Sequence, residues 1–181
     1  MPTATVSEPA ICPFTIVIDS NEGAPYPFQG LKERGPRKRD LIVAIRRQAL
    51  WAMDRRDVEI KGETFNVGLA DYTIEGFESQ IQIERKSLSD LFGTLGQRRN
   101  KFEAEIKRLH EDCEYAEVVV EGDWPAILRF KDHGPNPQSV IGTIKAWQQR
   151  YPKVHWNLYP TRAAAERFVF RTLDRFWRDR N

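Results

Sequence analysis

Cysteine is scarce in this chain and long apolar runs are missing. The 181 residues hold two cysteines, Cys12 and Cys113, far apart and in no Cys-x-x-Cys pair. That argues against a disulfide framework or a zinc cluster and points to a reducing, intracellular compartment. No uninterrupted apolar stretch approaches the ~20 residues needed to span a bilayer. Residues 1–13 contain no Lys or Arg and no long apolar run, so they do not resemble a secretory signal and read as a loose leader. The expected organisation is that leader followed by a single domain over 14–181, because no repeat, low-complexity tract or boundary signal interrupts the rest. Histidine is rare too. His110, His133 and His155 share no spacing, which argues against a histidine-held metal. Charge of one sign is not in large excess, the net value being +2.

What is present is basic charge in clusters. Arg34, Arg37, Lys38 and Arg39 form one run, followed by Arg46, Arg47, Arg55 and Arg56. Arg98, Arg99 and Lys101 form another, and Arg167, Arg171, Arg175 and Arg178 recur at helical spacing. Such clustering suits a phosphate backbone, although any single run is equally well a solvated helix face. On the last helix the stripe suits a solvated face or a subunit contact, with Phe168, Leu173, Phe176 and Trp177 as core or interface anchors and a homodimer as the partner arrangement.

The hydropathy pattern predicts a buried strand over 15–19, a Gly- and Pro-rich loop over 20–36 and a helix over 40–56 started by Asp40. Strands follow over 58–61, 64–67, 72–75 and 80–85, punctuated by Gly62, Gly68 and Gly76. A short helix begins at Ser87, Gly93 and Gly96 break it, and a longer helix covers 97–112. A strand over 117–120, a loop over 131–138, a helix over 139–150, a strand over 154–158 and a helix over 162–178 complete the chain. Alternation after a hairpin-like middle predicts an α/β chain: a three-layer α/β/α domain on a central mixed sheet.

One constellation carries chemistry. In the strand ending Ile83-Glu84-Arg85-Lys86, Glu84 and Lys86 share a face about 7 Å apart. If 72–75 and 80–85 pair as a hairpin, Asp71 falls opposite that end. Two carboxylates and a lysine suit phosphodiester hydrolysis: hard oxygen ligands hold Mg²⁺ loosely, the metal polarises the phosphate and lowers the pKa of a bound water, and Lys86 orients or deprotonates that water or stabilises the developing charge. Glu59-Ile60-Lys61 lacks an acid at hairpin distance upstream. Glu105-Ile106-Lys107 falls in a helix, where i and i+2 do not share a face. Asp19 ends a strand and either satisfies backbone donors there or joins a site at the strand ends. Asp90 follows Ser87 in a capping-box arrangement, which explains it without catalysis.

Three segments in order, Ile18-Asp19-Ser20-Asn21-Glu22, Val67-Gly68-Leu69-Ala70-Asp71-Tyr72 and Ile83-Glu84-Arg85-Lys86-Ser87-Leu88-Ser89-Asp90-Leu91, resemble the nuclease domain of the XPF-type structure-specific endonucleases. That family shows an Asp-x-Arg-Glu strand end, a Gly-Asp-Tyr turn and a Glu-Arg-Lys-x-x-x-Asp core, and Arg99-Asn100-Lys101-Phe102-Glu103-Ala104-Glu105 looks like its following helix. Asn21 stands where the family has arginine, and Ala70 where it has glycine. The resemblance implies a restriction-endonuclease-like fold and a Mg²⁺- or Mn²⁺-dependent endonuclease cutting branched, flap or fork DNA in repair, recombination or replication. It makes Asp71 and Glu84 metal ligands, Lys86 the catalytic lysine, Asp19, Glu22 and Asp90 supporting catalytic acids, and Arg85, Arg98 and Arg99 groups that contact DNA. The family's C-terminal tandem helix-hairpin-helix module is not expected within this length. A catalytically inactive DNA-binding partner subunit of the same fold is the alternative, as is a same-fold nuclease with a sequence-specific or defence role.

Overall fold

The computed structural model describes residues 8–36 and 38–181; residues 1–7 of the expected leader and Arg37 of the first basic run lie outside the described residues. The first strand begins inside that leader. β1 (Ala10–Asp19) takes in residues 10–13, and Cys12 is buried. Its Ile16, Val17 and Ile18 are all buried, as a strand covered on both faces requires.

The expected helix over 40–56 is instead a strand and one helical turn: β2 (Leu41–Gln48), then α1 (Leu50–Met53). β2 runs parallel to β1 at the sheet edge. Leu41 and Val43 face the core while Ile42 is exposed, a period of two that β-branched residues favour. The apolar spacing that suggested a helix is satisfied by neither the strand nor the turn alone. A two-stranded antiparallel hairpin follows, β3 (Arg56–Ile60) with β4 (Glu63–Val67).

β5 (Tyr72–Ile74) and β6 (Ile81–Ser87) form the expected antiparallel hairpin, with Tyr72 opposite Ile83. α2 (Leu88–Gln97) then runs through Gly93 and Gly96 rather than breaking at them. Those glycines make room for a neighbouring loop, because a Cβ at Gly96 would sit 3.3 Å from Pro135 Cδ. α3 (Arg99–Asp112), β7 (Tyr115–Glu121), α5 (Pro137–Arg150), β8 (Val154–Tyr159) and α6 (Arg162–Arg178) follow as the periodicity predicted, within a few residues. The short α4 (Trp124–Arg129) was not anticipated. Its signal is Asp123-Trp124-Pro125, in which the Asp123 carboxylate accepts from the Ala126 N–H at 2.8 Å.

The main sheet has the order β2-β1-β5-β6-β7-β8, with β1 and β6 antiparallel to β5 and the outer pairs parallel. On one face α2, α3 and α5 pack Phe92, Phe102, Ile106, Val140, Ile144 and Trp147 against Val118 and Val120. On the other, α6 and the loop holding Tyr26 and Phe28 cover Ile16, Ile18, Ile81, Ile83 and Val119. This is the expected three-layer α/β/α arrangement. Among the described residues no helix is long and apolar enough to cross a membrane.

One buried arginine joins α3 to the small hairpin. The Arg108 side chain, 2% exposed, donates to the Val67 carbonyl at 2.6 Å, to an Asp54 carboxylate oxygen at 2.7 Å and to Asp112 at 3.1 Å. Replacing it with methionine fills much of the volume but leaves the Val67 carbonyl without its buried donor. Arg108→Met is expected to lower stability by about 3 kcal/mol. Urea denaturation reads this as a lower midpoint at unchanged slope.

Candidate active site

β1 ends at Asp19 and β5 starts after Asp71, and the Asp19 N–H donates to the Asp71 carbonyl at 2.8 Å. Antiparallel pairing of β5 with β6 then sets Asp71 beside Glu84 and Arg85. One Asp71 carboxylate oxygen accepts the Arg85 N–H at 2.8 Å. Alternation along β6 sends Glu84 and Lys86 to the α3 face, where the Lys86 ammonium lies 2.7 Å from Glu84 Oε1 and 4.6 Å from the centre of the Phe102 ring. Asp71, Glu84 and Lys86 line one cleft of about 420 Å³, together with Asp19, Glu22, Asp90 and Arg98.

The glycine before this turn is needed for close approach. A Cβ at Gly68 would lie 2.0 Å from the Trp51 carbonyl oxygen, so α1 and the segment before Asp71 touch backbone to backbone. From the other side, both Asp19 carboxylate oxygens accept backbone N–H groups, from Asn21 at 2.6 Å and Trp51 at 2.5 Å. Asp19 therefore does what a strand-end acid needs to do and still faces the cleft.

The structure separates the remaining expected site residues. Glu22 accepts from the Ala24 N–H at 2.7 Å and from Arg85 at 3.2 Å. Asp90 forms the expected capping pair, accepting from the Ser87 hydroxyl at 2.6 Å while its N–H donates to that oxygen at 3.1 Å. Arg98 lies at the rim, exposed, its nearest partner Thr94 Oγ1 at 3.4 Å. The two other arginines expected to contact DNA also make bonds within the protein. Arg85 sits on the α6 face, where it binds Glu121 through two bonds of 2.7 and 2.9 Å and is 9% exposed. Glu121 also accepts from Arg162 at 2.8 Å. Arg99 is turned toward α5, donating to the Thr143 hydroxyl with its guanidinium over the Trp147 ring. Arg85 still borders the cleft beside Glu22, and Arg99 borders the adjoining groove with Arg98, Asn100 and Lys101.

Glu105 is the residue that sequence reasoning missed. In Glu105-Ile106-Lys107 the helix turns Lys107 toward the Glu59 carbonyl and Glu111, yet Glu105 lines the cleft from α3. The available signal was helical phase. Glu105 lies three residues after Phe102 and four before Leu109, both buried, so it shares their face.

The cleft's charge is unbalanced. Burial, and next to it Glu84, pushes the Asp71 carboxyl well above the usual carboxylate range. Burial and then Glu84 raise Glu105 to about 7. Burial alone would weaken the Lys86 ammonium, but Glu84, Asp71 and Glu105 outweigh it and hold its pKa above the ordinary lysine value. Three carboxyl groups thus surround the Lys86 ammonium, with Arg98 and Lys101 acting on Glu105 from the rim, and an added cation would relieve the remaining excess. Among the described residues no three histidine, cysteine or acidic side chains come together in an arrangement that could hold a metal ion. The donor set that fits is a carboxylate pair, which suits Mg²⁺, an ion that keeps several waters and takes one or two carboxylates.

A family model described as the ERCC4 domain matches residues 36–171. The chain belongs to the ERCC4 domain family. Among solved structures, XPF from Aeropyrum pernix aligns at 18% identity with a TM-score of 0.56, covering 90% of this chain and 64% of that one. XPF from Aeropyrum pernix in complex with DNA aligns at 18% identity and a TM-score of 0.57, covering 93% of this chain and 66% of that one. This ERCC4 domain chain thus spans about two thirds of those structures, with which it shares the restriction-endonuclease-like fold. No curated protein matches it.

Glu105 supplies a test of the cleft's charge. Its carboxyl holds a proton in the folded, metal-free protein over a range where the unfolded chain has released it, so stability falls as pH rises from about 4.5 to about 7. Glu105→Gln removes that loss. In EDTA, the melting temperature of the variant is expected to exceed that of the wild type at pH 8 and to match it near pH 4.5. Equal temperatures at both values would contradict the assignment.

Proposed function

We propose that this protein is a metal-dependent DNA endonuclease that hydrolyses phosphodiester bonds at branched, flap or fork DNA. The observation carrying this reading is the convergence of Asp71, Glu84 and Lys86 at the end of the β5–β6 hairpin, in a cleft with more acid than base. Membership of the ERCC4 domain family and the shared fold with a protein solved in complex with DNA support it.

In this reading Asp71 and Glu84 hold Mg²⁺, with Mn²⁺ as substitute. The bound ion would polarise the scissile phosphate and make its coordinated water more acidic. The chain's own groups do the rest. The Arg85 N–H bond fixes one oxygen of Asp71 and leaves the other for the cleft. Lys86 cannot serve as a general base while three acids hold its proton, so it acts as a fixed cation that steadies the charge growing on the phosphoryl oxygens. The Phe102 ring and the Glu84 carboxylate set where that ammonium stands. Asp19 and Glu22 act as positioning residues: Asp19 holds the backbone at the strand end, and Glu22 holds Arg85. Asp90 caps α2 at the cleft's edge. Arg98, exposed at the rim, would meet a phosphate. A homodimer would use the exposed part of α6, where Phe168 stacks on Tyr159.

Labelled single-stranded, duplex, 3′-flap, 5′-flap, fork and four-way-junction DNAs test this with Mg²⁺, Mn²⁺ or EDTA. Cutting of branched substrates is expected with either metal and none with EDTA. Asp71→Ala, Glu84→Gln and Lys86→Ala are each expected to reduce cleavage by at least about a hundredfold while DNA binding persists. Substantial cutting by purified Asp71→Ala protein would sink the site assignment. Binding without cutting under any metal would favour a DNA-binding scaffold.

A further inference from the structure

The rim of the cleft carries an aromatic ring with cations around it that the proposed chemistry does not use. Trp51 lines the cleft, partly exposed, and its indole N–H has no hydrogen-bond partner among the described residues. The Arg55 guanidinium lies 4.2 Å from the centre of its ring and the Lys101 ammonium 5.7 Å. Arg55, Lys101 and Arg98 are exposed and form no ion pair within 4 Å among the described residues, Lys101 and Arg98 lying close enough to Glu105 to lower its pKa, whereas neighbouring Arg56 is paired with Glu111 and Asp112. From Arg98 and Lys101 a shallow groove of about 500 Å³ continues over Phe65, Gln97 and Asn100 toward the β3–β4 hairpin. Its acid, Glu63, lies 3.4 Å from the Asn100 side-chain amide.

The backbone at Trp51 is held in place. Its N–H is bonded to Asp19, its carbonyl lies against Gly68, and the preceding Leu50 is fully buried with Val17 and Leu69. A large ring fixed at its base, left part-exposed, with Arg55 over it and Lys101 and Arg98 nearby, is poorly explained by stability, because an indole gains most from full burial. It is well matched to an unpaired nucleotide. A base presents a flat face to an aromatic ring only when it is out of a duplex, and flanking phosphates meet the nearby cations.

We propose that Trp51, with Arg55, Lys101 and Arg98, forms a subsite that stacks an unpaired base and holds its phosphates next to the scissile bond. This rests on the reading of the cleft as a DNA endonuclease site and adds how that site takes single-stranded DNA beside a junction. The strand enters along the groove from Asn100 and Lys101, its base rests on Trp51, and the next phosphate lies toward Lys86.

Binding measured in EDTA separates this from catalysis. Fluorescence anisotropy would compare a flap duplex, the same flap with abasic unpaired positions, and a fully paired duplex, using wild type, Trp51→Ala and Trp51→Phe. Trp51→Ala is expected to weaken flap binding about tenfold and to leave paired-duplex binding within about twofold, while Trp51→Phe restores most of the loss. Wild type is expected to lose a similar factor on the abasic flap, a result that does not depend on the folding of any variant. Equal binding of intact and abasic flaps, or an equal loss on paired duplex, would overturn the subsite and leave the nuclease reading standing. Failure of the wild type to bind any of the DNAs would overturn both.

Discussion

The Asp19 carboxylate is the constraint on which the site depends. It lies at the carboxyl end of β1, buried, and accepts backbone N–H groups from the turn that follows and from the start of α1. Its own N–H holds the carbonyl of Asp71. Three segments distant in sequence thus meet through one side chain and one amide: the exit of β1, the entry to α1 and the entry to β5. A buried carboxylate whose two oxygens both accept backbone N–H bonds needs no cationic side chain to satisfy its hydrogen-bonding capacity. That leaves Lys86 for Glu84 and Asp71 instead of spending it on Asp19. Gly68 completes the junction from below, because any side chain there would collide with the α1 backbone.

β6 divides its charges between two environments. Toward α6, Arg85 is enclosed by Glu121 and Glu22, Glu121 is shared with Arg162, and Arg162 reaches the carbonyls of Ala24 and Pro25. Despite burial, the Arg85 hydrogen bonds keep Glu121 below the usual carboxylate range. This network is balanced and closed. Toward α3, Lys86 faces Asp71, Glu84 and Glu105, and burial beside Glu84 makes Asp71 and Glu105 hold their protons more tightly. The same strand therefore presents a satisfied structural face and a frustrated one. Such an imbalance, held at a cleft by a strand whose other face is satisfied, marks the α3 side as the functional candidate.

Much of this was legible because it depends on short-range rules. Alternation placed Glu84 and Lys86 together, the hairpin brought Asp71 opposite them, and Ser87-x-x-Asp90 announced a helix cap that the structure contains. What escaped depends on tertiary context. The segment 41–48 has apolar residues compatible with either period, and pairing with β1 decided for a strand. Gly93 and Gly96 would end an isolated helix, but the loop carrying Gly134 and Pro135 packs against them. Arg85 and Arg99 border the cleft and its adjoining groove while their guanidinium groups bond Glu121 and Thr143, partners that only the packed α6 and α5 faces bring within reach.

Trp51 and Glu105 illustrate the converse. Neither belongs to a recognisable motif, and each reaches the cleft from an element whose position depends on long-range packing. Glu105 depends on α3 lying across the Lys86 face of the sheet, where Phe102 packs beneath the ammonium. Trp51 depends on a single helical turn held by Leu50, Asp19 and the absence of a side chain at position 68. A motif records the atoms that chemistry requires at fixed spacing along one strand. The walls that admit a substrate come from whichever elements the fold brings to that strand, and only their backbone anchors reveal that their positions are held as firmly as those of the acids.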